Sequence, residues 1–116
     1  MTDVEDVEPF GDLARLDKII HEPARLALVT VLSVRDGADF TFLAGAANLS
    51  RGNLSAHLGT LEDAGIIAVT KQFAGKRPQT WVVLTEHGRK AVHDYWDRMG
   101  AWRDQLDTAA RNRLTD

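Results

Sequence analysis

Apolar side chains recur at intervals of three and four residues in the first half of the chain, the spacing that places them on one face of an α-helix. This pattern predicts helices over residues 13–20, 23–35 and 42–47. Pro23 suits the first turn of the second helix, and Thr41 has a hydroxyl that could cap the third. The apolar positions of the first two helices are Leu13, Leu16, Ile19, Ile20, Leu26, Val29 and Leu32.

The most informative pattern lies between residues 49 and 67. Ser50 can cap the start of a helix, and Gly65 tolerates the left-handed conformation that ends one. The apolar stripe between them is Leu54, Leu58 and Leu61, and the opposite face carries Gly52, Asn53, Ser55, Ala56 and Thr60. Such a slim polar face suits close approach and hydrogen bonding in the major groove of DNA. We predict a helix over residues 50–64, joined by a tight turn at Asn48 to the helix before it, as in a helix-turn-helix.

After Gly65 the residues become rich in β-branched and aromatic types, which predicts two strands over residues 66–73 and 79–84. Glycine and proline mark a turn at residues 74–78, and Lys76 and Arg77 place two cations at its tip. The expected structure is a basic β-hairpin. The sequence does not decide which face of the hairpin is buried, because either alternate set of residues 66–70 could face the core.

A long amphipathic helix is predicted at the end of the chain. Thr85 can cap it, and its apolar seam extends it to about Arg113, roughly 40 Å at about 1.5 Å per residue. The seam consists of Val92, Tyr95, Met99, Trp102, Leu106 and Ala109, and Trp96 widens it. So small a domain cannot cover the whole seam, so we expect part of it to form a dimer interface with a second copy.

The composition is that of a single globular domain of 116 residues. The chain has no cysteine and no apolar run long enough to span a membrane, and its acidic start does not resemble a signal peptide. We therefore expect a cytoplasmic protein. The net charge is -3, but residues 1–12 carry five acids and no base, whereas residues 40–93 carry six bases and three acids. The central segment is thus basic.

No enzyme motif is present in the sequence. Glu62 and Asp63 are neighbours on a helix and do not converge on one site, and nucleophile-elbow, phosphate-loop and zinc-hydrolase patterns are missing. His93 and Asp97 lie one helical turn apart and could contribute to a metal site across a dimer. No second ligand pair supports that site, so we expect no cofactor, no metal and no catalytic residue.

The combined layout resembles the winged helix-turn-helix of bacterial MarR/ArsR-like transcriptional regulators. The matching strings are HEPARLALVTVL, ADFTFLAGAANLSRGNLSAHLGTLEDAGII and FAGKRPQTWVVLTEHGRKA. The resemblance implies a mainly α fold with a small β-hairpin wing and a long C-terminal dimerisation helix. It divides the chain into an acidic tail (1–12), a DNA-binding domain (13–91) and a dimerisation segment (92–116). It also implies a homodimeric regulator, most simply a repressor, that reads a pseudo-palindromic operator in two major grooves about 34 Å apart.

The resemblance also implies a set of residues that face DNA. Asn53 would contact base edges, and Arg51 would contact guanine or a phosphate. The tip of the wing would lie along the DNA backbone or in the minor groove. Arg25 matches a position that lies near DNA or supports helix packing. Ala56 and Gly59 stand where relatives often carry cations, so this helix is lightly charged. The full set is Arg25, Thr41, Ser50, Arg51, Asn53, Ser55, Ala56, Lys76 and Arg77; the dimer set is Val92, Tyr95, Trp96, Met99, Trp102 and Leu106.

Three alternatives remain open from the sequence. His57 either contacts phosphate or packs beside Leu54 and Leu58. The aromatic residues Trp81, Tyr95, Trp96 and Trp102 either line a pocket for a small-molecule effector or simply pack in the dimer. The whole protein could instead be a winged-helix interaction module or effector-sensing dimer with weak or lost DNA binding.

Overall fold

The computed structural model describes residues 17–115 of the chain. The acidic tail predicted for residues 1–12 and the beginning of the helix predicted for residues 13–20 lie outside this range. Residues 18–20, the described end of the predicted segment, form a turn, in which the carboxylate of Asp17 accepts a hydrogen bond from the backbone N–H of Ile19 at 2.9 Å.

Four helices and three strands follow this turn. The helices are α1 (Pro23–Ser33), α2 (Phe40–Ala46), α3 (Arg51–Asp63) and α4 (Glu86–Thr115), and the strands are β1 (Ala38–Asp39), β2 (Ile67–Ala74) and β3 (Arg77–Leu84). The strands form one antiparallel sheet in the order β1-β3-β2. The predicted winged helix-turn-helix with a long last helix is confirmed.

Helix α1 begins at Pro23, as predicted, because its first turn needs no N–H from that residue. The residue that caps it is Glu22, whose carboxylate accepts a hydrogen bond from the backbone N–H of Arg25 at 2.8 Å. Glutamate is a less common cap than aspartate or serine, and the sequence pattern did not indicate it.

The prediction that Thr41 caps α2 is wrong. The cap is Asp39, whose carboxylate accepts a hydrogen bond from the backbone N–H of Phe42 at 2.7 Å, so the helix begins two residues earlier. Asp39 is also the last residue of β1 and pairs with Trp81 of β3. This pairing fixes Asp39 in the extended conformation that a capping residue requires.

The turn into α3 and the two ends of that helix are as predicted. Asn48 adopts a left-handed conformation (φ 54°), and the hydroxyl of Ser50 accepts a hydrogen bond from the backbone N–H of Asn53 at 3.1 Å. Gly65, just beyond the helix, has a φ of 75°. These local signals therefore set the position of α3.

The wing is a hairpin with a two-residue turn at Gly75-Lys76. Gly75 has a φ of 67°, as the first central residue of a tight type II′ turn requires. Cross-strand partners share a face of the sheet. The inward face carries Ile67, Val69, Val82 and Leu84, with Val82 fully buried, which resolves the open phase of β2.

A single hydrophobic core lies between the helices and the sheet. Its largest fully buried side chains are Ile20, Leu28, Leu32, Leu43, Leu54, Leu61, Val29 and Val82. The predicted leucine stripe of α3 belongs to this core, as do the apolar positions of α1. The opposite face of α3 is consequently turned away from the core.

Replacing Asp39 by alanine is expected to lower the free energy of unfolding by about 1 kcal/mol, since it removes the N-terminal cap of α2. The same carboxylate also accepts a hydrogen bond from the side-chain amide of Gln79 at 3.1 Å, so the loss extends to the wing. Chemical denaturation measures the effect. The matched control is Thr41→Ala, and equal destabilisation by the two substitutions would contradict the assignment of the cap.

Candidate nucleic-acid interface

The outward face of α3 carries the side chains that the sequence predicted to face DNA. Arg51, Gly52, Asn53, Ser55 and Ala56 are all exposed, while the leucines of the same helix are buried. Polar side chains on this face are spaced by small ones, so the helix backbone can approach a partner closely. Such a face can hydrogen-bond to base edges in a major groove.

Arg51 is held at the first turn of α3 by an aromatic side chain. Its guanidinium carbon lies 4.6 Å from the centre of the Phe40 ring, a cation–π arrangement. Phe40 is not among the predicted site residues, and its only signal in the sequence is an aromatic residue directly after Asp39. The stack restricts the rotamers of Arg51 and so reduces the entropy that a contact to guanine or phosphate would cost.

A cleft separates α3 from the wing. On one side it is lined by Gly52, Ser55 and Gly59 of α3, and on the other by Val69, Lys71 and Thr80 of the sheet. Glycine and serine keep it open because they add little volume. The small side chains at positions 52, 55 and 59 of α3 therefore leave an open space between this helix and the sheet.

A ladder of side-chain hydrogen bonds holds the wing. Lys71 donates to the hydroxyl of Thr80 at 2.9 Å, and the amide of Gln72 donates to that of Gln79 at 3.0 Å. Gln79 in turn donates to Asp39, the cap of α2, at 3.1 Å. The wing is thus connected to the helix-turn-helix, and its exposed tip carries Lys76 and Arg77. This ladder could not be predicted from the sequence, because it depends on the exact strand register.

Arg25 makes the contacts expected of a residue that supports helix packing, and its position near DNA stays a prediction. Its Nε donates to the carbonyl of Ile19 at 2.7 Å, and its Nη1 lies 3.3 Å from Nδ1 of His57 on α3. The side chain is 17% exposed. His57 is likewise half-buried, with its Nδ1 close to both Arg25 and Glu22. The local packing of His57 is therefore the alternative that the contacts favour.

The carboxyl group of Glu22 completes this cluster. The hydrogen bond from the Arg25 backbone N–H is the main cause that lowers the pKa of Glu22, and the charges of His57 and Arg25 lower it further. The charged form of Glu22 is thus favoured in the folded protein. Glu22, Arg25 and His57 together connect the start of α1 to the middle of α3.

The predicted dimer seam of α4 is divided by the fold. Val92, Tyr95 and Trp102 are buried in the core of their own chain, so they offer little surface to a second copy. The hydroxyl of Tyr95 lies 2.9 Å from Nδ1 of His21, and burial raises the pKa of Tyr95. The sequence could not make this distinction, because an apolar stripe on a helix can pack against its own domain or against a second chain. The large exposed members are Trp96 (44%) and Leu106 (59%), the small Ala109 is exposed as well, and Met99 is half-buried.

The aromatic residues proposed for an effector pocket lie in different surroundings. Tyr95 and Trp96 contact each other with ring centres 5.3 Å apart, but Trp81 packs against Gly37 in a surface cleft that includes Arg35 and Arg89. Gly37 is needed there, since an added Cβ would lie 2.6 Å from the indole ring.

His93 and Asp97 form an exposed pair at 3.2 Å. Among residues 17–115, no group of three or more histidine or acidic side chains is arranged to hold a metal ion. Within the same range, none of the helices has the length and apolar character needed to cross a membrane.

Comparison with known proteins agrees with this architecture. Residues 24–102 match the winged helix DNA-binding domain family. An uncharacterized protein of Methanocaldococcus jannaschii is 31% identical over 78 residues, which cover 67% of this chain and 85% of that protein. A transcriptional regulator homologue of Pyrococcus horikoshii superposes with a TM-score of 0.79 at 28% identity, covering 86% of this chain and 98% of its own.

More distant structures share the fold. The transcriptional repressor CouR, solved bound to a 23-mer DNA duplex, superposes with a TM-score of 0.62 at 20% identity, covering 91% of this chain and 86% of its own. MarR-family transcriptional regulators also share it, which agrees with the resemblance seen in the sequence.

Proposed function

Because the chain belongs to the winged helix DNA-binding domain family, we propose that it is a homodimeric transcriptional repressor that binds a pseudo-palindromic operator. In this proposal α3 lies in the major groove and the wing contacts the flanking DNA. The family and the fold favour a DNA-binding regulator over an enzyme. The structure of CouR on a DNA duplex supports the use of this fold for duplex recognition.

The observation that carries the proposal is the shared orientation of α3 and the wing. Arg51 and Thr41 line one wall of a second cleft, and Arg77 and Pro78 of the wing line the other. Arg51 of α3 and Arg77 of the wing thus border the same open space, together with Asp39, whose carboxylate caps α2. A duplex presents base edges and phosphates at such neighbouring positions.

We assign base readout to Asn53, because its exposed side-chain amide can pair bidentately with adenine. Ser50, Ser55 and Thr41 would donate to phosphates and set the register of the helix. Arg51, held by Phe40, would contact guanine or a phosphate. Lys76 and Arg77 would supply most of the affinity that does not depend on sequence, since α3 itself has a single basic residue.

The proposed dimer uses the outer half of α4. The exposed apolar side chains Trp96 and Leu106 lie on this helix, and its residues 103–114 are all exposed. A second copy related by a two-fold axis would cover this face and place two α3 helices on the operator. Val92, Tyr95 and Trp102 contribute by fixing α4 on its own domain.

A mobility-shift assay with the DNA upstream of the protein's own coding sequence tests the proposal. At low salt we expect a specific complex that resists competition by unrelated DNA, and a transcript that rises when the gene is deleted. A correctly folded dimer that gives no specific shift would contradict operator binding. A transcript that falls when the gene is deleted would contradict the proposed repression but not operator binding.

A further inference from the structure

Phe73 and Pro78 form an apolar pair near the end of the wing. They are register partners, one position further from the turn than Ala74 and Arg77. Phe73 is 72% exposed, which makes it one of the most exposed large apolar side chains among residues 17–114. A single exposed apolar residue is ordinary, but this one is part of a pair at a defined position.

The pair belongs to the face of the wing that continues from the core. Side chains alternate along each strand, so Phe73 lies on the same face as Val69 and Lys71, and Pro78 on the same face as Thr80 and Val82. Val69, Lys71 and Thr80 line the cleft beside α3. The apolar pair is therefore the outer extension of the surface that faces the proposed DNA side.

The charge around the pair indicates its partner. Residues 66–84 contain three cations, Lys71, Lys76 and Arg77, and no acidic residue. Lys76 and Arg77 are exposed next to the pair. Asp39 lines the same cleft as Pro78, but its carboxylate already accepts hydrogen bonds from Phe42 and Gln79. A partner that combines anions with apolar surface fits such a pair. A nucleic acid does so, with its phosphates as the anions and its sugars and base faces as the apolar surface.

We propose that Phe73 and Pro78 enter the minor groove as a wedge, partly unstack a base step and bend the operator. The proposal rests on the proposed DNA binding. A helix in the major groove is flanked by a phosphate backbone and, beyond it, by the minor groove. A wing on the same side as α3 meets that minor groove, and inserted apolar side chains bend DNA by about 20–90°.

A wedge must be held rigidly to act on stacked bases. The Lys71–Thr80 and Gln72–Gln79 hydrogen bonds join the two strands next to the pair, and Gln79 is fixed to Asp39 at the base of the wing. The two-residue turn leaves little freedom at the tip. Phe73 is thus presented on a rigid support.

Resonance energy transfer between dyes at the two ends of a duplex tests the wedge. The probe is a duplex of about 30 base pairs, about three helical turns, selected by the full-length protein from a random library. Wild-type protein is expected to bend it. Phe73→Ala is expected to remove most of the bend and to weaken binding about tenfold. Because no charge is removed, the salt dependence of binding should not change.

Two variants act as controls. Phe73→Leu keeps an apolar side chain and should retain the bend. Val34→Ala removes an even more exposed apolar side chain (82%) that lies outside the wing, and it should leave both the bend and the affinity unchanged. Phe73→Ala with wild-type affinity, or with reduced affinity and an unchanged bend, would overturn the wedge and leave DNA binding intact. Wild-type protein that selects a duplex without bending it would also overturn the wedge. Failure to select any duplex would overturn both proposals.

Discussion

Replacing Gly88 by alanine is expected to destabilise the protein by about 3 kcal/mol, the upper part of the usual range for overpacking. Gly88 lies in the first turn of α4, where an added Cβ would clash with the carbonyl oxygen of Ile66 and lie 2.8 Å from its carbonyl carbon. These atoms cannot move away, since the backbone N–H of Thr85 donates to the same carbonyl at 3.0 Å. The hydroxyl of Thr85 accepts a hydrogen bond from the backbone N–H of Gly88 at 2.9 Å. The same hydroxyl donates to the carbonyl of Gly65 at 2.6 Å, which further fixes this segment.

Thermal unfolding measures this effect, with an expected fall in melting temperature of about 4 °C for each kcal/mol. The matched control is Gly59→Ala, in the middle of α3, where an added Cβ meets no atom within 4 Å. Alanine there should stabilise the helix by about 0.5–1 kcal/mol. If Gly88→Ala melted at the wild-type temperature, the close approach of α4 to Ile66 would be contradicted.

Replacing Asn53 by alanine is expected to cost about 1–3 kcal/mol of binding at one base pair, roughly five- to 150-fold. The loss should appear only for the preferred base, so that the variant binds altered sequences nearly as well as the selected one. Helix α3 should be unaffected, because the cap uses the backbone N–H of residue 53 and the side chain is exposed.

The comparison for Asn53→Ala is Lys76→Ala, at the tip of the wing. This change removes a cation that would neutralise a phosphate, so it should weaken binding to all sequences alike and reduce the salt slope by about one per phosphate. Binding of both variants to the selected duplex and to single-base variants of it separates the two roles. Uniform losses for both would contradict base readout by Asn53.

The elements predicted best from the sequence are those fixed by neighbouring residues. Ser50 and Gly65 set the ends of α3, Gly75 sets the turn of the wing, and Thr85 caps α4, all through contacts to nearby backbone or through local dihedral preference. Each of these caps and turns depends only on residues that are close together in the sequence. The winged helix-turn-helix follows from them once the leucine stripe provides a core.

The features that the sequence could not provide depend on distant partners. Asp39 and Thr41 are both acceptable caps, and pairing of β1 with a strand about forty residues later selects Asp39. Arg25 is held by His57, 32 residues away. The apolar seam of α4 could be assigned to a dimer interface only as one set of residues. Helical periodicity shows that a stripe is apolar, but it does not show that Tyr95 and Trp102 are buried in the core of the same chain.

The rival interpretation is a winged helix that binds proteins rather than DNA. The single basic residue of α3 favours it, as does the net charge of -3. The wing favours DNA, since Lys76 and Arg77 are exposed beside an open cleft and no acidic residue lies between positions 66 and 84. The two interpretations differ most in how binding responds to salt.

The salt dependence of binding therefore tests the central claim most directly. We estimate that a dimer neutralises roughly six to eight phosphates, so a plot of log affinity against log salt concentration should have a slope of about -5 to -7. Fluorescence anisotropy with the selected duplex measures it. A slope in this range, reduced by Lys76→Ala, is the expected result. A slope near zero, or no complex at the lowest salt concentration, would contradict the assignment of α3 and the wing to DNA.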